Sequence, residues 1–344
     1  MLIRATNWLG DAIMALPALH AVRKRFPQAE ISILALPYVA DIYRGQGVAD
    51  ELISYDRSAE HRGIGGKEKL AASLRAKKFD TALLLQNAFD AAWIVWRAGI
   101  PERIGYDRDG RRFLLTTAIP VPRPGDIPAH EKYYYLELVK RAEWLDELPR
   151  ISEIVLRVSQ DESAQAEAKL RSFGSRPGAV RIAVGAGASY GSAKCWPPER
   201  FATAINLLLK ERQAEVLLFG TPAEARVSAA IQAGLGQVAL DLTGETQISE
   251  LPALLSRCTA FLGNDSGAMH VAAAVGLPVV AIFGPTDPEG TAPVTPRCTI
   301  VQEKPYCSPC FLRRCPTDHR CMKAIEPERV SDRILKALAE VSVG

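Results

Sequence analysis

The sequence lacks several features that would assign it to a special class of protein. It has no run of about 18 uninterrupted apolar residues, so we expect no transmembrane helix. Residues 1–7 form a short apolar stretch with one arginine and no basic segment before a long apolar one. We therefore expect no secretory leader and a cytoplasmic location. No fixed-period repeat or low-complexity tract interrupts the chain, which excludes a solenoid.

The sequence also lacks a strong charge of either sign. Its formal net charge of +3 is too small to predict nucleic-acid binding, so any basic site must come from local clustering. With 48% hydrophobic and 24% charged residues, the composition is that of a folded globular protein and argues against disorder.

Cysteine is present in an odd number, seven, and four of these residues crowd into Cys307, Cys310, Cys315 and Cys321. In a reducing cytosol, disulfides are not the favoured interpretation. The CxxC spacing of Cys307 and Cys310 suits a zinc site, but the other two cysteines do not form a second CxxC. A zinc clip and reduced structural thiols both stay open. We favour the thiols and assign no metal or other cofactor to the active site.

Apolar runs alternate with amphipathic stretches along the chain, which predicts parallel sheets with helices on both faces. A length of 344 residues suggests two domains, with a linker at about 145–151. In the first half we predict strands 2–5, 31–36 and 81–85, and helices 12–25, 67–77, 91–96 and 130–145. In the second half we predict strands 180–184, 216–219, 238–240, 260–262 and 279–283, and helices 198–210, 223–233, 248–256, 268–275 and 326–341.

Ligands of open parallel sheets bind outside the carboxyl ends of the strands, so the loops there deserve most weight. The first such loop runs from Asn7 to Asp11, after the first predicted strand. Asp11 falls at or near the start of a helix, and the local sequence favours a helix-capping role. The alternative is a carboxylate that takes a proton from an incoming hydroxyl group.

A second loop, Gly185–Gly191, is rich in small residues and is followed by Lys194. It resembles a dinucleotide-binding loop, but the next predicted strand carries no acidic residue at its tip to hold a ribose. We therefore discount NAD and, with it, an oxidoreductase. The backbone amides and Lys194 still suit phosphate oxygens, although a plain surface loop explains them equally well.

A third loop, Gly263–Ser266, precedes a predicted helix that begins near Gly267. The exposed amides and positive end of that helix suit a pyrophosphate, and His270 lies one turn farther along. Alternatively, His270 is a partly buried histidine whose hydrogen bonds are satisfied within the protein. Glu224, near another helix start, is explained by the helix dipole or by contact with ribose hydroxyls. The segment Phe283–Pro288 shows ordinary turn chemistry.

These motifs, in this order, resemble the ADP-heptose:lipopolysaccharide heptosyltransferases, and most of all the heptosyltransferase II group that adds the second heptose. The matching stretches span nearly the whole chain: 7–23 (NWLGDAIMALPALHAVR), 187–197 (GASYGSAKCWP), 242–246 (LTGET), 263–274 (GNDSGAMHVAAA), 283–288 (FGPTDP) and 306–322 with its cysteines. This chain has Cys195 where such proteins often carry a basic residue, so a second cation is missing beside Lys194.

The resemblance implies the α/β fold called GT-B, in which two Rossmann-like, doubly wound parallel sheets face a central cleft. Residues 1–150 would bind the acceptor and residues 151–344 the donor, with the last helix able to pack back on the first domain. The implied reaction is an inverting, metal-independent transfer of heptose from ADP-L-glycero-D-manno-heptose to the heptosyl-Kdo2-lipid A inner core of lipopolysaccharide. The protein would work as a monomer, at the inner face of the inner membrane, without nucleic acid.

By the same resemblance, Asp11 is the general base. The implied donor-binding residues are Gly187, Ser189, Tyr190, Lys194, Glu224, Asp265, Ser266, Gly267 and His270. Basic residues of the first half are candidates to meet an anionic acceptor, and those in the looser loops 57–69 and 103–112 are the better ones. The candidate acceptor-binding residues are Asn7, Arg62, Asn87, Arg103 and Arg111. Two other interpretations stay open: a GT-B transferase or epimerase for another nucleotide sugar, and a non-catalytic nucleotide-sugar-binding protein.

Overall fold

A computed structural model describes residues 1–341, and the chain divides into two compact units at Ile151 and Ser152. The division falls at the end of the predicted linker. No helix within the described residues combines the length and apolar character needed to cross a bilayer.

Unit 1 (Met1–Ile151) is a six-stranded parallel sheet flanked by helices. Its strands are β1 (Leu2–Arg4), β2 (Ser32–Ala35), β3 (Glu51–Ser54), β4 (Thr81–Leu84), β5 (Glu102–Tyr106) and β6 (Thr117–Ile119). Its helices are α1 (Leu9–Met14), α2 (Leu16–Arg25), α3 (Pro37–Tyr43), α4 (Gly63–Ala76), α5 (Phe89–Arg97) and α6 (Glu131–Arg141).

Unit 2 (from Ser152) repeats this architecture with a second six-stranded parallel sheet. Its strands are β7 (Arg181–Gly185), β8 (Glu215–Leu218), β9 (Leu240–Asp241), β10 (Ala260–Asn264), β11 (Val279–Phe283) and β12 (Cys298–Gln302). Its helices are α7 (Gln160–Ser172), α8 (Pro198–Glu211), α9 (Ala225–Gly234), α10 (Leu251–Ser256), α11 (Gly267–Ala274), α12 (Pro288–Thr291), α13 (Arg320–Lys323) and α14 (Pro327–Val341).

The strand order puts a switch point in each sheet. The orders are β3-β2-β1-β4-β5-β6 and β12-β11-β10-β7-β8-β9, so the chain reverses direction across the sheet between β1 and β4 and between β7 and β10. Ligands of doubly wound sheets bind beyond the strand ends at such points. The loops that the sequence analysis singled out follow β1, β7 and β10, which places them there.

The central strands are buried on both faces, as the sides of a helix-covered parallel sheet must be. In unit 2 the fully buried Trp196 and Phe201 pack edge to face, 4.9 Å between ring centroids. The last helix, α14, contacts α8 and β11 and adds Val330 and Ile334 to the same core.

The predicted α/β, doubly wound class is confirmed, but several elements differ from expectation. The predicted helix 12–25 is two helices, because Ala15 ends α1 and Pro17 lies in the first turn of α2, where its missing N–H costs no hydrogen bond. The stretches at 57–69 and 103–112 are not simply loops, since α4 begins at Gly63 and β5 ends at Tyr106. The prediction missed β3, β5, β6, β12, α3, α7 and the short helices α12 and α13.

Candidate active site

The loop after β1 is anchored by a buried arginine. The Arg4 guanidinium donates to the Ala5 carbonyl oxygen (2.5 Å) and to Asn7 Oδ1 (2.7 Å), and burial lowers its pKa to about 10. Tyr38 also donates to the Asn7 carbonyl oxygen. Asn7 therefore shapes this loop through contacts with its own unit, which is a structural use of a residue predicted to bind acceptor.

Asp11 lies in the first turn of α1, but it is not the helix cap. The N-cap is Trp8, whose side chain makes no capping hydrogen bond. The expectation that Asp11 is the N-cap residue itself is therefore wrong, but Asp11 does lie near the start of the helix as expected. The position leaves the carboxylate at the carboxyl end of the sheet, where the alternative role requires it.

The charge of Asp11 raises the pKa of titratable groups on two other helices. Burial and, secondarily, the Asp11 carboxylate raise the pKa of Tyr43 in α3 and the pKa of Tyr135 in α6. The same two causes raise the pKa of Glu131, the first residue of α6, to about 7. Sequence analysis missed Glu131. Its only signal was an acidic residue at the start of a predicted helix.

Asn87, in the loop after β4, is held by two neighbours. It donates to Tyr134 Oη (2.8 Å) and accepts from Arg111 Nη2 (3.0 Å). Arg111 is fully buried, also donates to the carbonyl oxygens of Tyr106 and Gln86, and has its pKa lowered to about 10 by burial. Arg111 is thus placed to support Asn87, and its own side chain is not exposed to solvent.

The other two predicted acceptor arginines lie in different surroundings. Arg103 donates to the carbonyl oxygens of Leu114 (2.7 Å), Ile100 (2.5 Å) and Pro101 (3.1 Å), so its guanidinium ties β5 to the neighbouring loops. The structure does not bring it to the carboxyl ends of the strands. Arg62 is exposed at the N-cap of α4 and is open to solvent.

In unit 2, two predicted donor residues come together at the loop after β7. The Glu224 carboxylate accepts from the backbone N–H (2.7 Å) and hydroxyl (2.9 Å) of Thr221 in a capping box. Its other oxygen lies so close to Gly187 that a Cβ there would overlap it. Gly187 is needed for this approach, and Glu224 borders the loop. Ser189 is exposed at the tip of the loop.

Lys194 and Asp265 form the central ion pair of this site. Lys194 Nζ is 2.5 Å from Asp265 Oδ2, and the same oxygen accepts a hydrogen bond from Thr286 Oγ1 (2.6 Å). Asp265 and Thr286 are both buried, so the contact between Asp265 and Lys194 is shielded from water. Thr286, which the sequence analysis treated as part of an ordinary turn, is a member of the site.

A buried amide holds the loops after β7 and β10 together. Asn264 accepts from the backbone N–H of Trp196 (3.0 Å) and donates to the Ala186 carbonyl oxygen (2.5 Å). It is fully buried. Because these two loops carry Lys194 and Asp265, Asn264 fixes the geometry of the ion pair. The sequence showed it only as one residue of the motif before Ser266.

The helix that follows β10 begins beside the ion pair. Ser266 is the N-cap of α11 and Gly267 its first residue, without a side-chain cap. Backbone N–H groups at such a helix start are free of intrahelical partners and favour anions. His270 is buried in the first turns of α11. The predicted donor residues thus cluster at the switch point of the second sheet.

The cysteine loop, residues 305–319, lies on the loop after β11. Ser308 donates to the Gly284 carbonyl oxygen (2.6 Å), and the backbone N–H groups of Cys310 and Phe311 donate to that of Pro285 (3.0 and 2.8 Å). Burial and the three neighbouring cysteines raise the pKa of Cys321 to about 11. Through residue 341, no three His, Cys, Asp or Glu side chains are arranged to hold a metal ion, and all seven cysteines are free thiols.

Comparison with known proteins identifies the family of this chain. Residues 68–320 match glycosyltransferase family 9 (heptosyltransferase). The chain belongs to this glycosyltransferase family. It is 30% identical to lipopolysaccharide heptosyltransferase 2 of Escherichia coli (strain K12), over 88% of this chain and 87% of that one. It is also 30% identical to the protein of the same name from Salmonella typhimurium, over 88% of this chain and 87% of that one.

A solved structure supports the family assignment independently. The structure of E. coli ADP-heptose lps heptosyltransferase II superposes on this family 9 chain with a TM-score of 0.83, 28% identity and 98% coverage of each chain. The resemblance read from the motifs, the GT-B class and the assignment as a glycosyltransferase are thereby confirmed.

Proposed function

We propose that this family 9 enzyme transfers heptose from ADP-L-glycero-D-manno-heptose to the heptosyl-Kdo2-lipid A inner core of lipopolysaccharide, with inversion at the anomeric carbon. The observation that carries the proposal is the Lys194–Asp265 pair beside the open start of α11. A cation and free amides at a sheet switch point suit a sugar diphosphate. The names of the similar proteins support the heptose and the lipopolysaccharide acceptor.

The reaction assigns one role to each unit. The acceptor hydroxyl oxygen bonds to the anomeric carbon while the bond from that carbon to the diphosphate oxygen breaks, and ADP leaves with the electron pair. Asp11 accepts the hydroxyl proton. Lys194 and the amides at Ser266 and Gly267 stabilise the charge that grows on the diphosphate, so the proposal assigns no step to a metal.

Without donor, Lys194 is neutralised by Asp265 in a buried contact. A diphosphate would compete for Lys194, and the Thr286 hydroxyl would keep Asp265 hydrogen-bonded as the lysine turns toward phosphate. This arrangement avoids leaving a buried charge without a partner at either stage, which is otherwise costly. Asp265 then acts as the resting partner of Lys194 and as a candidate contact for sugar hydroxyls.

The proposed site of action is the inner face of the inner membrane, since the acceptor is a lipid. Exposed apolar side chains at the carboxyl edge of the first sheet support this location. Ile64 and Phe113 are 77% and 74% exposed, and the exposed Arg62 and Arg112 lie within two residues of them in sequence. Apolar side chains with neighbouring cations suit an anionic lipid surface.

The test is turnover of purified protein with ADP-heptose and heptosyl-Kdo2-lipid A, followed by ADP release and by NMR of the new linkage. Asp11→Asn should lower kcat by about 10²–10⁴-fold with unchanged donor affinity, because only proton transfer is lost. Asp80→Asn is the matched control, since Asp80 is exposed just before β4, at the opposite edge of the sheet.

Each contrary result points to a different alternative. Turnover with UDP-sugars and not with ADP-heptose would identify another transferase or an epimerase. Donor binding without turnover would identify a binding protein. Wild-type turnover by Asp11→Asn would remove Asp11 from the chemistry.

A further inference from the structure

The cysteine loop brings a second cation to the phosphate loop, which we define as residues 185–194. The Arg313 guanidinium lies 5.2 Å from the centroid of the Tyr190 ring, and Lys194 Nζ lies 4.8 Å from the same centroid. The two positive charges are therefore no farther apart than the sum of these distances. They approach one ring from residues more than a hundred positions apart in sequence.

Backbone contacts hold Arg313 in this position. The backbone N–H of Ala193 donates to the Arg313 carbonyl oxygen (3.1 Å), and the Tyr190 hydroxyl donates to the Phe311 carbonyl oxygen (2.7 Å). Gly191 passes so close to the Arg313 carbonyl oxygen that a Cβ would overlap it. The two loops are thus joined at the residue that carries the cation.

Unlike Lys194, Arg313 has no carboxylate partner within the described part of the chain. Its side chain is exposed and forms no ion pair with any residue in the range 1–341, whereas Lys194 is bound to Asp265. Arg313 therefore keeps an uncompensated positive charge near the Tyr190 ring, which favours an anion there. The planar guanidinium fork is well matched to phosphate oxygens.

The adjacent residue offers no substitute charge. Burial and the nearby Glu224 raise the pKa of the Cys195 thiol, so Cys195 is a neutral neighbour of Lys194 at pH 7. The negative charge of a diphosphate is spread over two phosphate groups. Residues 185–194 offer it one cationic side chain, that of Lys194.

We propose that Arg313 is a donor-binding residue, which supplies the second cation for the diphosphate of the nucleotide sugar, with Lys194 supplying the first. This inference rests on the proposed function, since it takes the donor to be a nucleoside diphosphate sugar. It also gives the cysteine loop a task in the reaction: the loop carries a phosphate ligand to a site built mainly from the loops after β7 and β10.

The test measures ADP affinity by calorimetry, and donor KM and kcat, for the wild type and three variants. Arg313→Gln keeps much of the stem that lies on Tyr190 and removes the charge. It should raise the Kd for ADP about tenfold, as expected for loss of one charge-assisted hydrogen bond. Arg313→Lys should restore part of this affinity. Arg314→Ala removes the neighbouring exposed arginine and should stay within about twofold of wild type.

Two results would overturn the inference: unchanged ADP affinity in Arg313→Gln, or equal losses in Arg313→Gln and Arg314→Ala, which would indicate a general effect of charge. Failure of the proposed function is distinguishable. If Arg313→Gln weakens ADP binding while the wild type transfers no heptose, the diphosphate contact stands and the heptose assignment fails. If the wild type transfers heptose and Arg313→Gln binds ADP normally, only the contact fails.

Discussion

Asp11 and Glu131 each lie in the first turn of a helix, and these helices, α1 and α6, pack together. Burial and the Asp11 charge raise the pKa of Glu131 to about 7, so Glu131 carries its proton under mildly acidic conditions. A neutral carboxyl group beside a general base avoids the repulsion of two anions, as in other carboxyl pairs. Glu131 is thus a pH-dependent neighbour of the proposed base.

This pairing predicts how stability depends on pH. Because the folded pKa lies above the unfolded one, the unfolded chain binds fewer protons between pH 4.5 and 7, and wild-type stability should fall as the pH rises through this window. Glu131→Gln removes the titrating group. At pH 8 it should raise the free energy of unfolding by about 2 kcal/mol relative to wild type, with no gain at pH 4.

Urea unfolding at both pH values measures this difference, and Glu143→Gln, at an exposed residue just after α6, serves as the control. A gain at pH 4 as large as at pH 8 would mean that the effect is packing and not titration.

At the same scale, sequence analysis identified residue types but not their partners. Lys194, Asp265 and the start of α11 follow from motifs at strand ends. The contacts of Asp265 with Lys194 and Thr286, and of Asn264 with Trp196, join positions far apart in sequence, and they depend on which strands become neighbours in the sheet. The sequence could not predict the burial of Arg111, because arginine is usually an exposed residue.

At the scale of elements, a buried arginine connects α7, β7 and the loop before β10. Arg181, the first residue of β7, donates to the Glu167 carboxylate through both Nη1 (2.7 Å) and Nη2 (2.9 Å), and Arg257 Nε donates to it at 3.1 Å. These contacts lower the pKa of Glu167 to about 2. Since the folded pKa is depressed, the stabilisation is present above about pH 4.5 and is lost as the pH falls toward 2.

Glu167→Gln should therefore lower the free energy of unfolding at pH 7 by about 3 kcal/mol, because it leaves Arg181 buried with a weakened partner. Its deficit relative to wild type should shrink between pH 4 and 2. Chemical denaturation followed by circular dichroism at several pH values tests this, with Glu211→Gln at an exposed position at the end of α8 as the control. A deficit that does not change with pH would exclude the ion pair as its source.

The missed elements are those whose sequence signal is weak or short. The strand β6 has three residues, and β3 has no buried residue in its pattern, so neither presents a long apolar run. Helix α7 is mostly polar, and only its capping box, Ser159 with Glu162, marks its start. That signal was available in the sequence. The buried strands β7, β10 and β11 were placed within two residues at each end.

At the scale of the molecule, an exposed apolar surface lies at the carboxyl edge of the first sheet. Ile64 is the second residue of α4, which follows β3, Phe89 begins α5 after β4, and Phe113 follows β5. The ring centroids of Phe89 and Phe113 are 6.1 Å apart. Because the strands are parallel, this edge is also the one where Asp11 lies. The proposed lipid-linked acceptor would thus meet apolar side chains at the same edge of the sheet as the proposed base.

We therefore expect the protein to bind vesicles of phosphatidylethanolamine and phosphatidylglycerol more tightly than vesicles of phosphatidylcholine, and less tightly as salt is added, since exposed cations are screened.

Phe113→Ser should weaken binding to the anionic vesicles about tenfold, the loss expected when one large apolar side chain no longer enters the interface. Val238→Ser, at a residue of unit 2 that is 84% exposed, controls for surface hydrophobicity in general. Sedimentation with sucrose-loaded vesicles measures both variants. Equal losses in the two, or binding indifferent to salt, would argue that this edge of the first sheet does not meet the membrane. In that case, contacts between the enzyme and the sugars of the acceptor would have to recruit the lipid without help from this edge.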